Sequence, residues 1–155
     1  MPAHDHQDIT RRRFLVLAGS AAAAGACSSN SGSSTSATSL GDVTAVNVSS
    51  LQVPSLEPVG TQPVAIGRDS NGVYAMTLTC THTGCNMGTT GTVSTQGIEC
   101  GTISCGHHSK FDTNGNVTAG PATASLQHYA VTKDASGNLT IHTGTAVDSS
   151  TRLQV

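Results

Sequence analysis

The stretch CTHTGC, Cys80 to Cys85, sets two cysteines and a histidine within one short segment. A second stretch, CGTISCGHHSKFD from Cys100 to Asp112, adds two more cysteines and two adjacent histidines. Thiolate and imidazole bind zinc, iron and copper, and thiols can instead pair as disulfides. Three chemistries are therefore open: a zinc site, a disulfide framework or a redox metal centre. Structural zinc usually takes its ligands in knuckles spaced C-x2-4-C or H-x3-5-H. The leading pair here is Cys80-x-His82, two ligands of different softness held close together. That suits two metal ions joined by bridging sulfides better than a single zinc. Two disulfides would consume Cys80, Cys85, Cys100 and Cys105, but would leave CTH and GHHS with no use for their histidines.

The segments that must carry these residues read as strands. From Leu40 onward, short β-branched runs alternate with turn residues, and strands are expected at Val43–Val48, Pro63–Gly67, Val73–Thr79, Gly97–Ser104, Gln127–Lys133 and Leu139–Thr143. The corners RDSNG (Arg68–Gly72), TNGN (Thr113–Asn116) and DASGN (Asp134–Asn138) supply the Asn-Gly and Ser-Gly chemistry that hairpins favour. No window carries helical periodicity over three turns. The expectation is an all-β domain, antiparallel for the most part, spanning residues 40–155. With no Trp, two Tyr and two Phe its core is thin, and a covalent or metal staple would help to hold it together.

The first 39 residues read as an address and a tether. TRRRFLVLAG (Thr10–Gly19) resembles a twin-arginine export signature, with Arg11 and Arg12 as the pair. The apolar run from Phe14 to Ala26 would span about 20 Å as a helix, short of the roughly 30 Å hydrocarbon core, so residues 1–26 read as a signal peptide rather than a membrane span. AGAC ending at Cys27 looks like a lipoprotein cleavage box, with lipid on Cys27; the alternative is an ordinary cleavage site beside an incidental cysteine. Residues 27–39 are a Ser-rich flexible linker with a reach of roughly 20 Å. Removing residues 1–26 takes three arginines and two aspartates from a formal net charge of −2, leaving −3. No basic surface and a single Phe remain, so nucleic acid is not an expected partner.

Together, CTHTGC, the second cluster and AGPATASL (Ala119–Leu126) resemble a Rieske iron–sulfur protein. That family's first box reads C-T-H-x-G-C, its second C-P-C-H-G-S-x-F/Y-D, and its third loop carries G-P-A. The resemblance implies a Rieske-type antiparallel β-sandwich or barrel with a small cluster-binding subdomain. It also implies a [2Fe-2S] cluster with two Cys on one iron and two His on the other. Cys80 and His82 carry over as ligands, and Cys85 takes the place of a disulfide cysteine. Ser109 would donate to a bridging sulfide, and Pro121 would cover the cluster against water. Phe111 stands where high-potential members carry Tyr, which implies a reduction potential in the middle of the family range. His128 and His142 are expected to be ordinary surface histidines.

The second box departs from the pattern, and two alignments compete. In the first, Cys105-Gly106-His107-His108 keeps the C-x2-H ligand spacing, so Cys105 and His108 are ligands, and Cys100 is left to bridge Cys85. In the second, His107-His108-Ser109-Lys110-Phe111 keeps its phase with H-G-S-x-F, so His107 is a ligand, Cys100 supplies the thiolate and Cys105 the disulfide. Ligand spacing is taken as harder to change than the place of a serine, and the first alignment is the expectation.

The resemblance implies one-electron transfer, with the two ligand histidines at an exposed tip. The expected partners are a redox protein, either a cytochrome or an oxidase large subunit, and in the quinol–cytochrome c reductase type also quinol. Twin-arginine export, which carries folded proteins, suits a chain that acquires its cofactor before crossing to the periplasm or the outer membrane face. No nucleophile–base pair or paired carboxylates stand out, so no catalysis by this chain alone is expected, only a place as the redox subunit of an oxidoreductase. The reading from a different class is a zinc- or disulfide-stapled surface lipoprotein that binds a partner without redox chemistry.

Overall fold

The computed structural model describes residues 40–101 and 105–155. The expected signal peptide and linker, Cys27 among them, and Thr102–Ser104 lie outside the described residues. Ten strands alternate with tight turns: β1 (Asp42–Asn47), β2 (Ser55–Pro58), β3 (Val64–Asp69), β4 (Gly72–Thr77), β5 (Thr92–Ser94), β6 (Gly97–Cys100), β7 (Ser109–Phe111), β8 (Val117–Ala119), β9 (His128–Lys133) and β10 (Asn138–Val147). One antiparallel sheet runs β1-β10-β9-β4-β3-β2, and a smaller one runs β5-β6-β7-β8. The all-β expectation holds, with a small second sheet as the resemblance implied.

The corners follow the turn chemistry read from the sequence. Between β3 and β4, Asp69 pairs with Gly72 across a two-residue turn, and Gly72 has φ +131°. Asp112–Asn116 and Asp134–Asn138 use one device twice. The Asp carboxylate accepts two backbone N–H groups and the Asn amide, while the Gly at the fourth position takes a left-handed φ near +80°.

Every residue of β4 is buried, because the strand faces two cores. Tyr74 and Met76 enter one core, and Val73 and Ala75 enter the other, as the period of two requires. The second core, with Val64, Ile66, Tyr129, Leu139 and Ile141, lies within the large sheet. The first gathers Leu78, Met87, Ile98, Phe111 and Leu126 between the sheets, and Cys80 and Cys100 belong to it. The metal-binding residue types thus sit on the wall of a packed core, which fixes their backbone.

His128 departs from expectation. It is 1% exposed, stacks on Tyr74 and donates from Nε2 to the Asn114 carbonyl at 3.0 Å. It begins β9 on the inward phase, which composition alone does not reveal. His142 does lie on the outer face, between Asp42 and Thr132 at 2.8 Å each.

Candidate metal centre

Three loops at one end of the small sheet form the site. The first, after β4, closes on itself: Cys80 N–H donates to Cys85 O and Gly84 N–H to Cys80 O, both at 2.8 Å. Gly84 has φ +80°, the left-handed conformation this turn needs. Asn86 then accepts from the Gly88 N–H and starts the short helix α1 (Met87–Thr90), while its amide donates to Thr61 O. Thr81 donates to Ala124 O at 2.6 Å, which fastens this loop to the third. The result is a buried Cys80 with an exposed His82 two residues on.

The second loop is set by strand pairing. Ile98 and Cys100 of β6 face inward opposite Phe111 and Ser109 of β7, while Glu99 and Lys110 form the outward pair. Cys100 and Ser109 are both fully buried. Beyond them the chain leaves the sheet, and His107 and His108 are exposed. The rings of His82 and His107 meet edge to face with centroids 4.7 Å apart. In the third loop, Ala122 N–H donates to Ser109 Oγ at 2.9 Å, so the serine hydrogen is left to donate elsewhere. Pro121 is exposed beside it, after a cis Gly120–Pro121 peptide bond.

Cys85 is disulfide-bonded to Cys105, which ties the first loop to the second. The bridge expected between Cys85 and Cys100 is thus corrected. So is Cys105 as a ligand, because a sulfur in a disulfide has no thiolate to offer a metal. Among the described residues the free thiols are Cys80 and Cys100, both buried. Burial, then hydrogen bonding to Cys80 and the charge of Cys80, push the Cys100 thiol up to about 11. Two thiolates this close and this dry need a cation between them. The sulfurs of Cys85, Cys100 and Cys105 all lie within 4.8 Å of one another, so the Cys100 thiol abuts the disulfide.

His108, the other expected ligand, points elsewhere. Its Nδ1 lies 3.1 Å from the Glu99 carboxylate, on the outer face of β6. It has φ +55° and is the one non-glycine residue with positive φ among the described residues. That conformation costs roughly 1–2 kcal/mol for most side chains and belongs by preference to glycine.

The profile of the Rieske [2Fe-2S] domain family matches residues 42–130, more than half of the chain. The chain belongs to the Rieske family. It therefore binds a [2Fe-2S] cluster and transfers electrons through it. No curated protein matches the chain in a direct search. The residues present fit the cluster: two buried thiols side by side, two imidazoles meeting at the surface, and a buried serine hydroxyl beside them. The left-handed φ at His108 is one that glycine adopts freely, and the second Rieske box carries a glycine in its H-G-S stretch. His108 takes that conformation directly before Ser109. Ser109 and Phe111 are locked by strand pairing and burial, whereas a few extra residues in the loop before them cost little.

Proposed function

We propose that this Rieske protein is an exported, membrane-tethered electron carrier, in which Cys80 and Cys100 hold one iron of the cluster and His82 and His107 the other. The observation that carries the ligand set is the separation of a buried free-thiol pair from an exposed histidine pair. When bound, the cluster supplies a one-electron couple. With two neutral imidazoles in place of two thiolates, its potential lies within roughly −150 to +300 mV. Ser109 orients its hydroxyl by accepting from Ala122 and keeps its proton to donate toward the cluster, which favours the reduced state. Phe111, buried and without a hydroxyl, offers no such bond, which keeps the potential in the middle of that range. Pro121 shields the third side. His82 and His107, exposed, form the face at which a partner docks.

The export signature, the lipid-box cysteine Cys27 and the Ser-rich linker support delivery to the outer membrane face, and a disulfide suits that oxidising compartment. The partner is a redox protein, a cytochrome or an oxidase large subunit, and the CTHTGC box favours the quinol–cytochrome c reductase type. Two measurements test this. Fatty-acid labelling of intact cells marks the wild type and not Cys27→Ala; an unlabelled wild type removes the tether. In stopped flow, the reduced protein passes its electron to a ferric c-type cytochrome faster than to dioxygen. Equal rates would remove the carrier role.

A further inference from the structure

We propose that His108 is a positioning residue, a clamp on the outer face of the ligand loop that holds its two limbs together. This rests on the ligand set proposed above. The last β6–β7 pair is Cys100 with Ser109, so Gly101 and His108 are the next residues on either limb. By the alternation of the strands, Glu99, Gly101, His108 and Lys110 share the outer face, behind Cys100 and Ser109.

The side chains there make one connected group. Nδ1 of His108 faces a Glu99 oxygen at 3.1 Å, and because a carboxylate only accepts, that nitrogen carries the proton. The other Glu99 oxygen lies 3.3 Å from Lys110 Nζ. The imidazole also packs flat against the backbone of the opposite limb: a Cβ on Gly101 would stand 2.6 Å from His108 Nδ1. Glycine at 101 is therefore what lets the ring lie down. His108 follows His107 directly and Gly101 follows Cys100 directly, so closing this contact sets the spacing between a thiolate ligand and an imidazole ligand. The left-handed backbone at 108 would suit glycine better, and the contact to Glu99 and Gly101 is what a histidine gains there.

The test uses the full cluster-loaded chain and follows bleaching of the cluster absorbance after a ferrous chelator is added, with EPR of the reduced protein alongside. His108→Gly, which relaxes the backbone and removes the clamp, releases the cluster about threefold faster, the effect expected of a partly exposed polar link. Glu99→Ala does the same, and the double variant is no faster than the faster single, because the two residues act as one unit. His108→Asn, which tolerates the left-handed conformation and donates to Glu99, restores the wild-type rate and EPR line shape. Release at the wild-type rate from His108→Gly, or effects that multiply in the double variant, would overturn the clamp and leave the ligand set standing. A wild-type chain that takes up no cluster would overturn both.

Discussion

Removing the Cys85–Cys105 bridge separates stapling from ligation. The two cysteines are 20 residues apart, so the bond closes a loop of about that size in the unfolded chain. Loop-closure entropy for that length amounts to about 3 kcal/mol at 25 °C. A domain spanning residues 40–155 loses about 2.1 cal/mol/K of entropy per residue, so the loss corresponds to a Tm drop of about 10–15 °C. The double variant Cys85→Ala/Cys105→Ala, which leaves no stray partner for Cys100, is compared with the wild type by differential scanning calorimetry, both without cluster. Cys100→Ala serves as control: it deletes one buried sulfur from a packed wall and should cost only about 1–2 kcal/mol. If Cys100→Ala loses as much in Tm as the double variant, the bridge runs from Cys85 to Cys100, and the site has been assembled from the wrong sulfurs.

Two further outcomes follow from the core. Gly67 faces Tyr74 across β3 and β4, and a Cβ there would meet the ring at 2.5 Å, so Gly67→Ala costs about 1–3 kcal/mol in urea unfolding; an unchanged midpoint would show the ring to be mobile. Burial holds His128 below the ordinary histidine value of 6.5, against the bond to the Asn114 carbonyl, which acts the other way. Its neutral form is therefore the native one. The stability tied to it is complete above pH 6.5 and is lost as pH falls from there towards the lowered native pKa. Urea titrations at pH 7.5 and 5 should show this loss in the wild type and a smaller one in His128→Gln; equal losses would assign the pH dependence to other groups.

Much of the fold was legible because alternation and turn chemistry are local. The DSNG and DASGN corners, and the strands they join, lie within a residue or two of where they were expected, except that β10 runs on past Thr143 to Val147. The strands that escaped notice, β2, β5, β7 and β8, are three or four residues long and have at most two β-branched side chains in a row to announce them. Each is held by pairing with the strand next to it in the chain. The compactness of the first cluster was legible because CTHTGC is a closed local loop. The arrangement of the second cluster was not, because its residues come from two limbs whose alignment is decided by which residues pair in the sheet. Spacing along the chain favoured Cys105 and His108; the pairing of Cys100 with Ser109, and the left-handed backbone at His108, favour Cys100 and His107. His128 was misjudged for the same reason: its burial depends on the phase of β9 against β4, a tertiary property.

The ligand set is tested most directly by EPR of the dithionite-reduced protein in four variants reconstituted side by side. Cys100→Ala and His107→Ala should lose the rhombic Rieske signal. Cys105→Ala and His108→Ala should keep it, the former in a less stable domain and the latter with faster cluster release. A signal that survives Cys100→Ala and disappears with Cys105→Ala would contradict the account at its centre.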